Sequence, residues 1–177
     1  MIDLESPLWS NLTCSAGGNG EMAADLLKQI QQGNGTDDVY GELYHQVCHQ
    51  GNIGRDSNLA YAVVPHLVKI AQQVTKREQV WPLNIVASVV TSRLVYPEGS
   101  GAIPIDLQED YELACNSALE ITLHALRETG YEQDDSIFLL ATVAALHGHG
   151  DLAMLMLNGG SELNCPFCGE EIRYANL

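Results

Sequence analysis

Two cysteines two residues apart, Cys165-Pro166-Phe167-Cys168, followed by Gly169, carry the strongest chemical signal in the chain. Thiolates at that spacing on a tight turn, with glycine freeing backbone amides toward the sulfurs, match half of a tetrahedral zinc site. A closed structural site takes four ligands, and no second CxxC exists. Cys14, His147 and His149 are the candidates to complete it within the chain, and a second Cys165/Cys168 pair across a homodimer would complete it from outside. The competing reading is a turn holding two reduced thiols without metal. A redox dithiol is disfavoured, because the motif does not open a helix whose start would lower a thiol pKa.

Other groups invite chemistry less strongly. His45 and His49 stand four residues apart on one helical face beside Cys48. Two imidazoles could meet a metal there, but the glutamate of an HExxH zinc helix is missing and no third ligand is in view. A rim histidine and a histidine near a helix C-terminus, where positive charge is favoured, account for the pair without metal. His147-Gly148-His149-Gly150 reads as a turn. Gly17-Gly18-Asn19-Gly20 could turn backbone amides toward an anion. It lacks the Lys-Ser/Thr of a phosphate loop, Glu21 would repel phosphate, and a flexible loop is the simpler reading. Ser10, Ser57 and Ser88 stand in no G-x-S-x-G elbow. Glu109, Asp110, Glu112, Asp134 and Asp135 fall near helix starts, where the dipole stabilises acids, and read as solvated caps. No catalytic residue is assigned.

The elements that must position these groups show a helical period. Met22, Leu26, Leu27 and Ile30 form one stripe that Gly33 ends. Asp37 or Asp38 caps a second helix with Tyr40, Leu43, Tyr44, Val47 and Cys48 inward, stopped by Gly51. A third runs from Asp56-Ser57 to about Val74 and holds its apolar phase across Pro65, where a bend is expected. A fourth begins between Glu78 and Pro82 and reaches about Leu94; its spacing and length decide for helix despite many β-branched residues. Residues 96–104, with two prolines and two glycines, form a loop. A long helix from Leu107 to Thr129 follows, which Asn116-Ser117 could loosen. The next runs from Asp134 or Asp135 to Gly148, apolar nearly all round and so buried. A short helix, Asp151 to Leu157, precedes the cysteine turn. Sustained alternation bounded by hairpin turns is absent, so a sheet is not expected. Helix pairs opening near Asp37, Glu78 and Asp135 recur at about 41 and about 57 residues. The first interval fits the roughly 40–47 residues of HEAT or armadillo units, and the second does once the 96–104 loop is discounted.

Composition narrows the function. The chain has 177 residues, 23 Asp and Glu against 8 Lys and Arg, and a net charge of −15. At this size a single domain buries roughly 70% of its unfolded surface. The charge disfavours nucleic acid and anionic membrane surfaces, both of which need clustered cations. No apolar run approaches a membrane span of about 20 residues. Five scattered cysteines suit a reducing compartment, and the Met1-Ile2-Asp3-Leu4-Glu5 start lacks the basic character of a secretory signal, so a cytoplasmic protein is expected.

Two stretches are more specific than their period. Leu43-Tyr44-His45-Gln46-Val47-Cys48-His49-Gln50-Gly51 leads to Ala60-Tyr61-Ala62-Val63-Val64-Pro65-His66-Leu67-Val68. Ala144-Ala145-Leu146-His147-Gly148-His149-Gly150-Asp151-Leu152-Ala153 leads to Asn164-Cys165-Pro166-Phe167-Cys168-Gly169. Together they resemble an uncharacterised family of bacterial HEAT/armadillo-like helical-repeat proteins with "HQG…VPhL" and C-terminal "CPxCG" motifs, over roughly Leu8 to Glu170. The resemblance implies a place in toxin–immunity neighbourhoods, where helical-repeat proteins neutralise a partner. Asn52-Ile53-Gly54-Arg55 departs from the aromatic and small residues usual at that loop.

The expectation is an all-α protein: a short α-solenoid of stacked helical hairpins over residues 1–160 and a CPxCG tail over 161–177. Its function would be non-enzymatic binding of a basic protein, such as a nuclease-like toxin, with recognition near His45, His49, Gly51 and Arg55. The cofactor is none or a structural zinc. The alternative is a small zinc-binding regulator or metal-dependent enzyme using Cys165, Cys168 and the histidines.

Overall fold

Thr36 shows how local chemistry sets the helices. Its hydroxyl accepts from the Val39 amide and starts a helix with Asp37 and Asp38 in the first turn, at the positive end of the dipole. A computed structural model describes residues 1–48, 57–128, 130–159, 162–164 and 171–173. Among them run α1 (Glu21–Gln29), α2 (Asp37–Val47), α3 (Leu59–Gln73), α4 (Val80–Val95), α5 (Ile105–Ala125), α6 (Gln133–Leu146) and α7 (Gly150–Gly159). The protein is all-helical in its described core, and no helix among the described residues is long and apolar enough to cross a membrane.

The turns follow the chemistry of their residues. Gly33, at φ +84°, breaks the continuation of α1 in the left-handed region that glycine enters without strain. The buried face of α1 is Ala23, Ala24, Leu26, Leu27 and Ile30. Met22, expected on the inner stripe, is instead exposed. A reciprocal capping box of Thr75 and Glu78 opens the short turn Lys76–Gln79 that feeds α4. Pro82 sits in the first turn of α4, where its missing N–H breaks no ladder hydrogen bond. Helix α5 runs unbroken through Asn116-Ser117.

The core lies around α3 and α4. Leu59 to Val64, with Leu67, Ile70 and Ala71, bury α3 along its length. Helix α3 packs on α4 and α5, while α4 touches α2 and packs on α6 and α7. Tyr61 of α3 meets Tyr111 of α5 edge-on at 5.3 Å, and the Arg93 guanidinium of α4 lies 5.8 Å from both rings. The Tyr61 hydroxyl donates to the Ser100 carbonyl at 2.9 Å, pinning the proline- and glycine-rich loop to the core.

The chain around the glycines at 17–20 is more ordered than a flexible loop. Thr13 pairs with Asn19, the Cys14 thiol donates to the Gly17 carbonyl at 2.7 Å, and the Gly20 amide donates to the Trp9 carbonyl at 3.0 Å. At the other end, Glu162–Asn164 (β1) pairs antiparallel with Glu171–Arg173 (β2), Asn164 facing Glu171. Strands of three residues are too short for alternation to reveal, so a tail read as a turn is entered and left by a small hairpin.

Candidate functional site at the starts of three helices

The described residues among those singled out in the sequence scatter across the fold. His45 is exposed on α2, and His49, Gly51 and Arg55 lie outside the described residues. Cys48 is fully buried, and desolvation pushes its thiol up to about 12, so it is no ready thiolate. Cys165 and Cys168 lie outside the described residues, between β1 and β2. His147 and His149 are exposed at the turn between α6 and α7. Cys14 is buried in a segment tied elsewhere: the Ser15 amide donates to Gln46 of α2, and the Thr13 amide to Asn58 at the start of α3. Among the described residues no three His, Cys, Asp or Glu side chains are grouped to hold a metal.

A different place gathers polar and aromatic side chains. The first turns of α2, α4 and α6 converge on a cleft of about 580 Å³. Its walls are Tyr40 of α2, Trp81 of α4 and Phe138 of α6. The Tyr40 and Trp81 rings are parallel within 3° at 5.9 Å. The indole N–H of Trp81 donates to Asp37 Oδ1 at 2.8 Å, which fixes the ring plane. Asn84 follows Trp81 by three residues and so shares its helical face, as Phe138 does with Asp135.

The polar lining is dominated by acceptors. Asn84 Oδ1 and Asp135 Oδ2 are buried without a hydrogen-bond partner. The Asp135 side chain is only 18% exposed. Its nearest cation, Arg77 Nε, stands 3.8 Å from Oδ2, an ion pair too long for a hydrogen bond. Arg77 is itself largely exposed and held at the mouth by Glu132, 3.0 Å away. Asp37 and Glu78 also line the cleft, their hydrogen bonds spent on the neutral Trp81 indole and on Thr75. Burial, and then the negative charge of Glu78, push the Tyr40 phenol up to about 12, so it stays a neutral wall.

Three carboxylates therefore line the cleft against one guanidinium. The helix starts oppose them with about half a positive charge each, which leaves the site negative. The buried oxygens sharpen that sign. An anion would set its own oxygens against Asn84 Oδ1 and Asp135 Oδ2, whereas a group rich in N–H donors would satisfy both.

The sequence reading missed this site. From the sequence Asp135 reads as a solvated cap, and Trp81, Asn84 and Arg77 carry no motif. The available signal was weak: an acid or an aromatic in the first turn of each helix opening a proposed pair, Asp37, Trp81 and Asp135. Compared with protein families, curated proteins and solved structures, the chain matches none of them.

Proposed function

We propose that the protein is a non-enzymatic interaction module that binds a basic protein partner, an immunity-type or regulatory binder built as a short stack of helical hairpins. The observation that carries this reading is the meeting of a −15 chain charge with a negative, aromatic-walled cleft lined by unmet acceptors. Such a surface speeds encounter with a cationic partner and repels acidic ones. The helix order supports the stack: α4 touches α2 and packs on α6 in one row, and α3 packs on α5 in the other. Affinity capture from the source organism tests the reading. The expected partner is basic, and its affinity falls at least about tenfold between low and high salt as screening shortens the reach of the field. An acidic or neutral partner, or affinity indifferent to salt, would overturn it.

A structural zinc at the tail is a second reading, favoured by the β1–β2 pairing that brackets Cys165 and Cys168. A cysteine pair from a second chain, in a homodimer, would supply the remaining ligands. Elemental analysis of protein purified without a metal-affinity tag should find zinc at about one per two chains, lost in Cys165→Ser. Zinc-free protein would remove this reading.

A further inference from the structure

We infer that the cleft between the starts of α2, α4 and α6 takes the guanidinium group of an arginine side chain presented by the basic partner. The inference deepens the binding reading above by naming the group recognised. Its ground is the fit of chemistry to lining. A guanidinium is flat, carries five N–H donors and no acceptor, and stacks on aromatic faces. The cleft offers the Trp81 and Tyr40 rings, held parallel, as a wall. It offers two buried oxygens that lack hydrogen bonds, one of an amide and one of a carboxyl group, as acceptors. It also has room, about 580 Å³.

Arg77 shows the same preference from within the chain. Its guanidinium is drawn to the mouth by Glu132 at 3.0 Å and toward Asp135 at 3.8 Å, but it stays 73% exposed and leaves Asp135 Oδ2 without a hydrogen bond. It acts as a tethered competitor that partly neutralises the site without filling it. An incoming arginine displaces it from Asp135 and leaves it paired with Glu132. Removing Arg77 should therefore tighten binding, an effect that damage to the fold cannot imitate.

The two tryptophans make the test internal. In the 177-residue chain the two tryptophans, Trp9 and Trp81, give the indole N–H signals in a ¹H–¹⁵N spectrum, and Trp9 is 1% exposed outside the cleft. The probes are the capped peptide acetyl-Gly-Arg-Gly-amide, agmatine as a free guanidinium, and tetramethylammonium as a cation without donors. The expected result is a saturable shift of the Trp81 indole by the peptide in the millimolar range or tighter, with Trp9 unmoved. Asp135→Asn should weaken peptide binding about tenfold or more, and Arg77→Gln should strengthen it about threefold. Tetramethylammonium should bind at least about tenfold more weakly than the peptide.

The inference is overturned by a Trp81 signal that does not saturate, by equal binding of tetramethylammonium, or by binding indifferent to both variants. Agmatine bound where the peptide is excluded also overturns it, since the cation would then be a free small molecule. The two readings fail separately. Salt-sensitive capture of a basic partner that survives Asp135→Asn sinks the arginine site and leaves the partner reading standing. A saturable peptide titration in a protein whose captured partner is acidic does the reverse.

Discussion

The two tryptophans are placed in opposite circumstances. Trp9 is 1% exposed, its indole donates to the Asp3 carbonyl at 2.9 Å, and its ring lies 5.6 Å from that of the buried His66. The Gly20 amide closes on the Trp9 carbonyl at 3.0 Å, so indole and backbone both have partners inside the fold. Trp81 is half-buried, donates to a carboxylate and forms the wall of a cleft in which Asn84 and Asp135 keep buried oxygens unmet. A corner whose indole and backbone are answered internally serves stability, even though Nδ1 of the neighbouring His66 is buried without a partner. A cleft that leaves acceptors unanswered carries a standing cost, which a ligand with donors can relieve.

The comparison is most severely tested at Trp9. Trp9→Ala removes a fully buried ring and should cost about 3–5 kcal/mol, a large fraction of the stability of a domain this size. Chemical denaturation would measure it, and a loss below about 1 kcal/mol would show that the corner is not closed as described. Gly20→Ala is the next largest. A Cβ there would lie 2.8 Å from the Trp9 carbonyl oxygen and 3.1 Å from Leu12 Cβ, with backbone on one side that cannot swing away. Overpacking of this kind costs about 1–3 kcal/mol, read in the same denaturation experiment.

His66 gives the corner a pH dependence. Its Nε2–H donates to the Ile2 carbonyl at 2.9 Å, and Nδ1 is buried without a partner. Desolvation, aided by Lys69 and the chain's own amino terminus, holds its pKa below the ordinary 6.5, against the opposing pull of the Ile2 carbonyl and Asp3. The unfolded chain therefore takes the proton first. The stability that His66 contributes is complete above about pH 6.5 and is lost as pH falls through the folded-state value. Acid also relieves the self-repulsion of a −15 chain, so the informative quantity is the difference between wild type and His66→Gln. Between pH 7.5 and 5 the stability of the wild type should fall relative to the variant. Parallel curves would mean that the imidazole is solvated.

Much of the helical frame was legible in the sequence. The apolar phase of α3, the start of α2 near Asp37 and the break at Gly33 are written in local spacing, because a 3.6-residue period needs only near neighbours, although the cap of α2 is Thr36 and not Asp37 or Asp38. Met22 marks the limit even there, since a stripe shows which face is apolar and not how far the next element covers it. The cleft was not legible for a related reason. Asp37, Trp81 and Asp135 lie about 44 and 54 residues apart, and only the packing of α2 and α6 against α4 brings their first turns together. Seen alone, Asp135 is an ordinary first-turn acid; its burial beside Asn84 belongs to the tertiary arrangement. The cysteine motif was the reverse case, vivid in the sequence and lying outside the described residues.

The smallest effect separates the two regions most sharply. Asn84 sits on α4 among Leu83, Ile85 and Val86, all fully buried; it lines the cleft, and its side-chain oxygen is buried without a hydrogen bond. If the cleft were merely structural, like the Trp9 corner, cutting a polar side chain out of it would lower stability. For a group held unanswered, the desolvation cost is already present in the folded state. Asn84→Leu, close in size and with no polar atom to satisfy, removes that cost and adds apolar contact with Phe138 and Trp81. Its stability should match the wild type or exceed it by up to about 1 kcal/mol, while its affinity for the arginine peptide falls. A loss of more than about 1 kcal/mol would mean that Asn84 is satisfied and structural, and the contrast between the two tryptophans would then be one of exposure alone.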